Sequence, residues 1–146
     1  MTKHFIFIKQ SAPGLLENVY KTCLAYRLRQ RGLFVEMERP VPVIFEEIRM
    51  ECGYRADLVV ERRLIVDTKT IEIIGEIQVA QILTYLRFLK IGHGLILNFN
   101  TLLLKNGIKE YLMDLIIQNH KKIIRSVLCV PMAIGIVLFV FHQTWR

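Results

Sequence analysis

The segment Gly53–Thr70, GYRADLVVERRLIVDTKT, determines most of the predicted topology. Its two apolar runs are short and rich in Val, Leu and Ile, which is typical of buried strands, and the polar ERR between them predicts a tight turn. Three charged residues stand at the outer ends of these runs: Asp57, Asp67 and Lys69. Because an unpaired charge is costly to bury, these three residues need an explanation beyond packing.

A turn centred on Arg62 fixes the register of the predicted hairpin and places Asp57 opposite Asp67. Since side chains alternate along a strand, Asp57, Asp67 and Lys69 are expected on one face near one end of the hairpin. The other face is expected to carry four apolar residues: Leu58, Val60, Leu64 and Val66.

Two opposed carboxylates repel each other and destabilise a strand pair unless a cation compensates. Lys69, two residues beyond Asp67, is one candidate. A hard divalent cation is the other, since Mg²⁺ binds one or two carboxylates together with water and phosphate oxygens. Only the metal explains why two acids stand beside one lysine. The structural alternative is a solvated strand end with an ordinary surface ion pair.

The segment before the hairpin predicts a helix over residues 11–32, with Pro13 and Gly14 near its start and Gly32 at its end. Its apolar face is predicted to consist of Leu16, Val19, Tyr20, Cys23, Leu24 and Leu28. Glu17 lies in the first turn, where the helix dipole favours an acid. It also lies at the edge of the apolar face, from which it can point toward the sheet.

The remaining elements follow from apolar patterning and turn residues. Residues 33–45 are rich in β-formers, and Pro40 and Pro42 place that run at an edge or bulge. Glu46 and Glu47 predict a turn, and residues 48–60 predict a strand bent at Gly53. The segments that complete the chain are a helix at 76–90, a buried strand at 93–100 and a helical stretch at 107–128. The predicted class is α/β (α+β), in the order helix, three-strand meander, helix, strand.

Gln78, Gln81 and Tyr85 share one stripe of the helix predicted at 76–90. A polar stripe of this kind forms either the solvent face of a helix or the lining of a cleft. Both interpretations stay open from the pattern alone.

The composition allows one domain with a substantial core, since 53% of the residues are hydrophobic. The net charge of +7 permits a polyanionic partner, either nucleic acid or an anionic membrane surface. One local basic group, a source of phosphate contacts, consists of Arg27, Arg29 and Arg31. The three cysteines have no metal-binding spacing and predict reduced thiols in a cytoplasmic protein: Cys23, Cys52 and Cys129.

The C-terminal segment is unusual, because residues 126–145 contain no Lys, Arg, Asp or Glu. Its length is borderline for a membrane span, and Lys121, Lys122 and Arg125 precede it as a basic flank would. The alternatives are a buried final element and an extension with little structure. We therefore predict a domain over residues 1–122 and an apolar extension over 123–146, with a membrane segment at 126–145 as the minority interpretation.

A resemblance to a known family rests on the order of several short motifs. GLLENVY fits a G-x-x-E-x-x-Y signature at Gly14, Glu17 and Tyr20, and it is followed by CLAYRLRQRGL, PVPV, CGYRADLVV, VDTK, AQILTYLR and LILNFN. From about residue 13 to about residue 111 the chain resembles the GxxExxY proteins, a small bacterial and archaeal family of the PD-(D/E)XK nuclease superfamily. The resemblance implies a restriction-endonuclease-like core.

The resemblance also implies roles for particular residues. Glu17, Asp57 and Asp67, with the carbonyl of Thr68, would bind Mg²⁺ or Mn²⁺. Lys69 would orient or help deprotonate the attacking water and offset negative charge on the phosphate. The supporting helix would contribute Gln81 and, less directly, Tyr85. Asp67 stands where the family more often has Glu, and Gln78 where relatives commonly carry His. The catalytic set implied by the family is therefore Glu17, Asp57, Asp67, Lys69 and Gln81.

Three functional hypotheses follow. The first is a metal-dependent nuclease that hydrolyses phosphodiester bonds in nucleic acid, with DNA as the expected substrate. The second is a non-catalytic nucleic-acid-binding module on the same fold, although such a module has no need of opposed carboxylates. The third is membrane association through the C-terminal segment, which is compatible with the first. The oligomeric state is left open.

Overall fold

A computed structural model of the chain describes residues 15–51, 53–102 and 104–113, together with Gly135. Two α-helices lie in these ranges, α1 at Glu17–Gln30 and α2 at Glu76–Leu89. The strands are β1 Val35–Pro40, β2 Val43–Phe45, β3 Ile48–Met50, β4 Arg55–Val60, β5 Leu64–Lys69, β6 His93–Asn98 and β7 Ile108–Leu112. A single 3₁₀ turn at Leu104–Gly107 precedes β7.

Five of the strands form one mixed sheet in the order β1-β4-β5-β6-β7. β1, β4 and β5 form an antiparallel meander, β5 and β6 are parallel, and β7 is antiparallel to β6. β5 and β6 are parallel because the connection through α2 returns the chain to the end of the sheet at which β5 begins, before β6 starts. The predicted order of helix, three-strand meander, helix and strand is confirmed, and so is the mixed α+β class.

The two helices cover opposite faces of the sheet. On the α1 side, Tyr20, Leu24 and Leu28 pack against the strand residues Leu58, Val60, Leu64, Val66 and Leu95. On the α2 side, Ile82 and Leu86 pack against Val59, Ile65 and Ile96. The central strands are therefore buried on both faces, which explains their continuous apolar sequences.

Helix α1 is rotated relative to the predicted apolar face. Leu16 and Val19 are exposed at 78% and 38%, whereas Lys21 is buried with 7% exposure. The buried face consists of Tyr20, Lys21, Leu24, Ala25 and Leu28. The helix ends as predicted near Gly32, which adopts φ +81° and donates its N–H to the carbonyl of Arg29 at 2.9 Å.

The predicted strand over residues 48–60 is wrong as one element. It divides into β3 and β4, with Gly53 at φ +75° between them, because the chain reverses at Glu46–Glu47 and pairs β2 with β3. This small hairpin stands outside the main sheet and carries exposed apolar side chains such as Ile44, Phe45 and Ile48. The expected edge position of the proline-containing run is confirmed, since β1 is an edge strand.

The helix predicted over residues 107–128 is wrong for its first part. Ile108–Leu112 forms β7, which pairs with β6 from Leu97↔Ile108 to His93↔Leu112. The backbone N–H and C=O groups of this segment form hydrogen bonds with the open edge of β6, and this pairing overrides the local helical pattern. The rest of the predicted helix lies outside the described residues.

Neither helix in the described ranges is long and apolar enough to cross a membrane. The segment 126–145, for which a membrane span was one interpretation, lies outside those ranges except for Gly135. The membrane interpretation and the proposed boundary at residue 122 therefore stay predictions.

Gly107 is expected to be intolerant of any side chain, because a Cβ there would collide with the backbone carbonyl of Asn98 at the end of β6. Gly107→Ala should lower the free energy of unfolding by about 2–3 kcal/mol, measured by urea denaturation. The neighbouring Asn106 is exposed. Asn106→Ala should change stability by less than about 0.5 kcal/mol, and equal effects of the two variants would contradict the assigned packing.

Candidate active site

The β4–β5 hairpin has the predicted register, since Leu58 pairs with Val66 and Val60 with Leu64. The antiparallel pairing is recorded as far as Leu58↔Val66, so Asp57 and Asp67 lie just beyond its end. Both residues are buried, with 9% and 1% exposure. The end of this hairpin therefore brings two carboxyl groups into the interior.

Asp57 is held by Thr68 on the neighbouring strand. Its Oδ2 accepts hydrogen bonds from the backbone N–H and from the Oγ1 hydroxyl of Thr68, both at 2.8 Å. The carboxylate of Asp57 thus accepts the N–H of Thr68, a role that a backbone carbonyl has in a regular strand pair. Two donors on one oxygen give Asp57 a fixed orientation at the point where the strands separate.

The regular alternation of β4 is broken at this point. Ala56 packs in the α2-side core together with Val59, although alternation would place it with Leu58 on the other side. Across the sheet, the recorded pairs of β1 and β4 are Met37↔Leu58 and Arg39↔Ala56, and the residue between them, Glu38, adopts φ +53°.

This distortion corrects the prediction that Asp57, Asp67 and Lys69 share one regular strand face. Thr68 follows Val66 by two residues and so lies on the α1 side, and the carboxylate of Asp57 binds the Thr68 hydroxyl. It also approaches Lys21 of α1. Asp57 therefore turns toward α1 instead of following the pleat.

Asp67 forms an ion pair with Lys69, which is one of the two compensating cations that the sequence predicts. The Nζ of Lys69 lies 2.9 Å from Oδ2 of Asp67, so this buried oxygen is paired with an ammonium group. Burial raises the pKa of Asp67 to about 6, and the charge of Lys69 only partly offsets that rise. Burial acts to lower the pKa of Lys69, but the carboxylates of Asp67, Glu17 and Asp57 together raise it, so this ammonium stays protonated.

Glu17 reaches the same group from the first turn of α1, where it is half-buried. Burial raises its pKa, the charge of Lys69 opposes the rise, and the carboxylate of Asp57 adds to it. A hydrogen bond between Glu17 and the backbone of Thr70, the residue after Lys69, acts to lower the pKa of Glu17. The structure therefore brings Glu17, Asp57, Asp67 and Lys69 into one electrostatically coupled cluster.

Helix α2 brings two of its predicted polar residues toward this cluster. Gln81 donates its Nε2–H to the hydroxyl of Tyr85 at 2.6 Å, and Tyr85 is 2% exposed. Burial raises the pKa of Tyr85, and the carboxylate of Asp67 contributes to the rise. Gln78 acts elsewhere, because its Oε1 accepts the N–H of Gly75 at 3.0 Å and so caps the start of α2.

Two residues of the site were missed by the sequence reasoning. Lys21 contacts Glu38, and its Nζ lies 3.5 Å from Oδ1 of Asp57. Its position between Tyr20 and Leu24 on one helical face was the available signal.

Asn98, at the end of β6, is the second. Its Nδ2 donates to the carbonyl of Ile71 at 2.7 Å, and its Oδ1 accepts the N–H groups of Ile71 and Asn100 at 3.2 and 3.1 Å. These bonds fix the loop that follows Lys69. A pocket of about 240 Å³ adjoins this loop and is lined by Leu15, Tyr20, Thr70, Phe99 and Asn100.

The donor chemistry of the cluster fits a hard divalent cation. Glu17, Asp57 and Asp67 supply carboxylate oxygens, the ligands that such a cation prefers. Within residues 15–51, 53–102 and 104–113, no three acidic, His or Cys side chains converge closely enough to hold an ion in this arrangement. Instead, the ammonium groups of Lys21 and Lys69 stand against the carboxylates of Asp57 and Asp67.

Thr68→Val tests the support of Asp57, because it removes the hydroxyl donor and keeps the shape and the backbone N–H. The free energy of unfolding at neutral pH should fall by about 1.5–3 kcal/mol, the usual range for a hydrogen bond to a charged group. Thr22→Val is the matched control, since its exposed hydroxyl bonds only to the carbonyl of Asn18 within α1. A loss no larger than that of the control would show that Thr68 does not hold Asp57.

Asp67→Asn tests the charge at the hairpin end through its pH dependence. The pKa of Asp67 is raised from 3.8 to about 6, so the folded state binds the proton more tightly than the unfolded state. The wild type therefore loses stability as the pH rises through this window, whereas the neutral Asn variant does not. Relative to the wild type, the variant should gain about 1–3 kcal/mol between roughly pH 4 and pH 7, measured by urea denaturation. A constant difference across this range would contradict the assignment.

Comparison with known proteins places the chain in a family. The family model of the PD-(D/E)XK nuclease superfamily matches residues 2–111, about three quarters of the sequence. No curated protein and no solved structure matches the chain. The match is made at the level of the superfamily, and the narrower GxxExxY family stays a prediction. The five-strand mixed sheet between two helices, the acid and lysine cluster at its hairpin end and the family match agree, and the chain belongs to the PD-(D/E)XK nuclease superfamily.

Proposed function

We propose that this protein is a metal-dependent nuclease that hydrolyses phosphodiester bonds in nucleic acid, with DNA as its substrate. Proteins of the superfamily typically hydrolyse phosphodiester bonds, and its nucleases generally use Mg²⁺ or Mn²⁺. The observation that carries the proposal for this chain is the coupled cluster of Glu17, Asp57, Asp67 and Lys69. Carboxyl groups that raise the pKa of a buried neighbour, as Asp57 and Glu17 do for Asp67, are costly in a structural core and typical of functional sites.

The carboxyl groups have the role of metal ligands in this proposal. The central ligands are Asp57, which is oriented by Thr68, and the buried Asp67. Glu17 completes the set from α1, and the carbonyl of Thr68 is the backbone ligand implied by the family. A bound divalent cation lowers the pKa of a coordinated water and offsets charge on the phosphate.

Lys69 has the role of a cation that acts on the substrate. Its pKa is raised by the surrounding carboxylates, so it is an ammonium group at neutral pH and not a general base. It can donate hydrogen bonds to a phosphate oxygen and to the attacking water, and it stabilises negative charge that develops on the phosphate. Gln81 supports this end of the site by fixing the hydroxyl of Tyr85.

The substrate class is supported by charge. The chain carries a net charge of +7, which favours a polyanion, and the binding of nucleic acid should weaken as salt is added. Arg29 of the basic group on α1 also donates to the carbonyl of Val35 at 2.7 Å, so its guanidinium has a fixed position. We retain DNA as the expected substrate and the cytoplasm as the expected location, both as proposals.

Cleavage assays on the full-length chain test the proposal. Purified protein is incubated with labelled single-stranded DNA, double-stranded DNA and RNA, in Mg²⁺, in Mn²⁺ and in a chelator. The wild type should cleave DNA only with a divalent cation. Asp57→Asn, Asp67→Asn and Lys69→Met should each lower the rate by at least about 100-fold, since each removes a ligand or a charge that stabilises the transition state.

Glu110→Gln is the matched control, because this carboxylate is exposed on β7. It should retain the wild-type rate, and circular dichroism should show all variants folded. Cleavage that survives Asp67→Asn would contradict the proposed site. Salt-sensitive binding of DNA without cleavage in any metal would favour the non-catalytic module instead.

A further inference from the structure

Tyr54 lies beside the acid and lysine cluster but has no role in the proposed catalytic set. It precedes β4 and stands three residues before Asp57. Its backbone is fixed, because the carbonyl of Tyr54 accepts the N–H of the buried Val41 at 2.9 Å. The residue is nevertheless 49% exposed. Tyr54 thus combines a fixed backbone with an aromatic ring that is open to solvent.

The ring of Tyr54 is supported on one side by Tyr85 of α2. The two ring centroids are 6.5 Å apart, and the ring planes meet at 60°. A tilted pair of this kind is a favourable aromatic arrangement, and it does not cover Tyr54 as a parallel stack would. Tyr85 is itself held by its hydrogen bond from Gln81. The ring of Tyr54 therefore has a defined support and keeps an uncovered surface.

Tyr85 connects the exposed ring to the cluster. It packs in the α2-side core with Ala56, the residue before Asp57, and with Ile96, which pairs with Asp67 across β5 and β6. The exposed ring therefore lies at the end of the sheet that carries the two aspartates. A nucleotide next to a phosphate held at the cluster would come close to this ring.

Arg55, the residue after Tyr54, adds a positive charge at the same place. It is exposed, and its guanidinium donates to the carbonyl of Glu38 on β1 at 3.3 Å. Sites for single-stranded nucleic acid combine aromatic side chains, on which bases stack, with cations that bind the phosphate backbone. Tyr54 and Arg55 provide one of each beside the proposed active site.

The form of the nucleic acid follows from the faces of its bases. In a duplex the bases stack on their neighbours, so their faces are covered. In a single strand the bases can be splayed out and stacked on an aromatic side chain. An exposed ring beside the cluster therefore favours a substrate whose bases are unpaired.

We infer that Tyr54 is a substrate-binding residue whose ring stacks on a nucleobase next to the phosphate at the cluster, so that the site prefers single-stranded to double-stranded DNA. The inference rests on the proposed nuclease function and adds the strandedness of its substrate.

Binding and cleavage by the full-length protein test the inference. Fluorescence anisotropy of a labelled oligonucleotide gives the affinity in a chelator, and cleavage rates in Mg²⁺ give kcat and KM. Tyr54→Ala should weaken the binding of single-stranded DNA and raise KM by at least about fivefold, the lower bound for the loss of one base–aromatic stack. The value of kcat and the affinity for double-stranded DNA should each change by less than about twofold.

Conservative variants separate stacking from other roles of the side chain. Tyr54→Phe and Tyr54→Trp keep an aromatic face and should bind single-stranded DNA within about twofold of the wild type. Tyr54→Leu keeps an apolar contact with Tyr85 but has no ring, so it should behave like Tyr54→Ala. Because it fills the space beside Tyr85, it also decides the question if Tyr54→Ala does not fold.

Phe34→Ala is the matched control, because Phe34 has the same exposure of 49% and lies near the turn at the far end of the hairpin. The guanidinium of Arg62 lies 5.1 Å from the centroid of its ring. This variant should bind both forms of DNA like the wild type.

Oligonucleotides with a single abasic site locate the contact along the strand. When the missing base is moved along a single strand, the wild type should lose affinity at one position. Tyr54→Ala should show no further loss at that position, since the partner of the missing base is already gone.

Three results would overturn the inference: equal losses for single- and double-stranded DNA, equal losses for Tyr54→Ala and Phe34→Ala, or a Tyr54→Phe variant as weak as Tyr54→Ala. A lower kcat with an unchanged KM would also overturn it, because Tyr54 would then only support Tyr85. If the wild type cleaves DNA, these results leave the proposed function intact. Tyr54-dependent binding of single-stranded DNA without cleavage in any metal would confirm the stacking contact and overturn the proposed function. Absence of binding by the wild type, in the chelator and in Mg²⁺, would overturn both.

Discussion

Burial of two carboxyl groups at the end of one hairpin is the constraint on which the surrounding structure depends. Asp57 and Asp67 lie at the point where β4 and β5 separate, and both are buried, so each needs polar partners that offset the cost of burial. The compensation comes from two elements: β5 contributes Thr68 and Lys69, and α1 contributes Lys21. Helix α1 therefore packs against the sheet through the contact of Lys21 with Asp57 near its start and through apolar side chains such as Leu24 and Leu28 farther along.

The rest of the sheet keeps these groups in register. The parallel pairing of β5 with β6 extends to Lys69↔Asn98, and the amide of Asn98 binds the backbone of Ile71. Lys69 thus lies between a paired strand and a fixed loop, which limits how far its ammonium can move from Asp67. The close approach of Gly107 to the carbonyl of Asn98 continues this support toward the edge strand β7.

The sequence was sufficient for the parts that depend on apolar pattern and insufficient for the parts that depend on contacts between distant segments. The hairpin register followed from two apolar runs and a polar turn, because a slip by one residue would have exposed the whole core face. The turn of Asp57 toward α1 did not follow, since it depends on Glu38 across the sheet and on Lys21 of another element. For the same reason the sequence pattern predicts a helix where β7 forms, because the strand conformation of residues 108–112 is imposed by pairing with the open edge of β6.

The departures from regular structure concentrate where the cluster lies, and this is expected of a site whose groups are selected for chemistry. Glu38 holds a left-handed conformation that most residues with a side chain avoid, Ala56 leaves the alternation of its strand, and the carboxyl group of Asp67 is buried. The left-handed conformation of Glu38 and the burial of the Asp67 carboxyl group each cost stability. The pKa of Asp67 is raised to about 6, which means that ionising this carboxyl group costs more free energy in the folded protein than in the unfolded chain. A cation bound to the ionised carboxylate of Asp67 would recover this energy, so this one costly group is also the one that would favour metal binding.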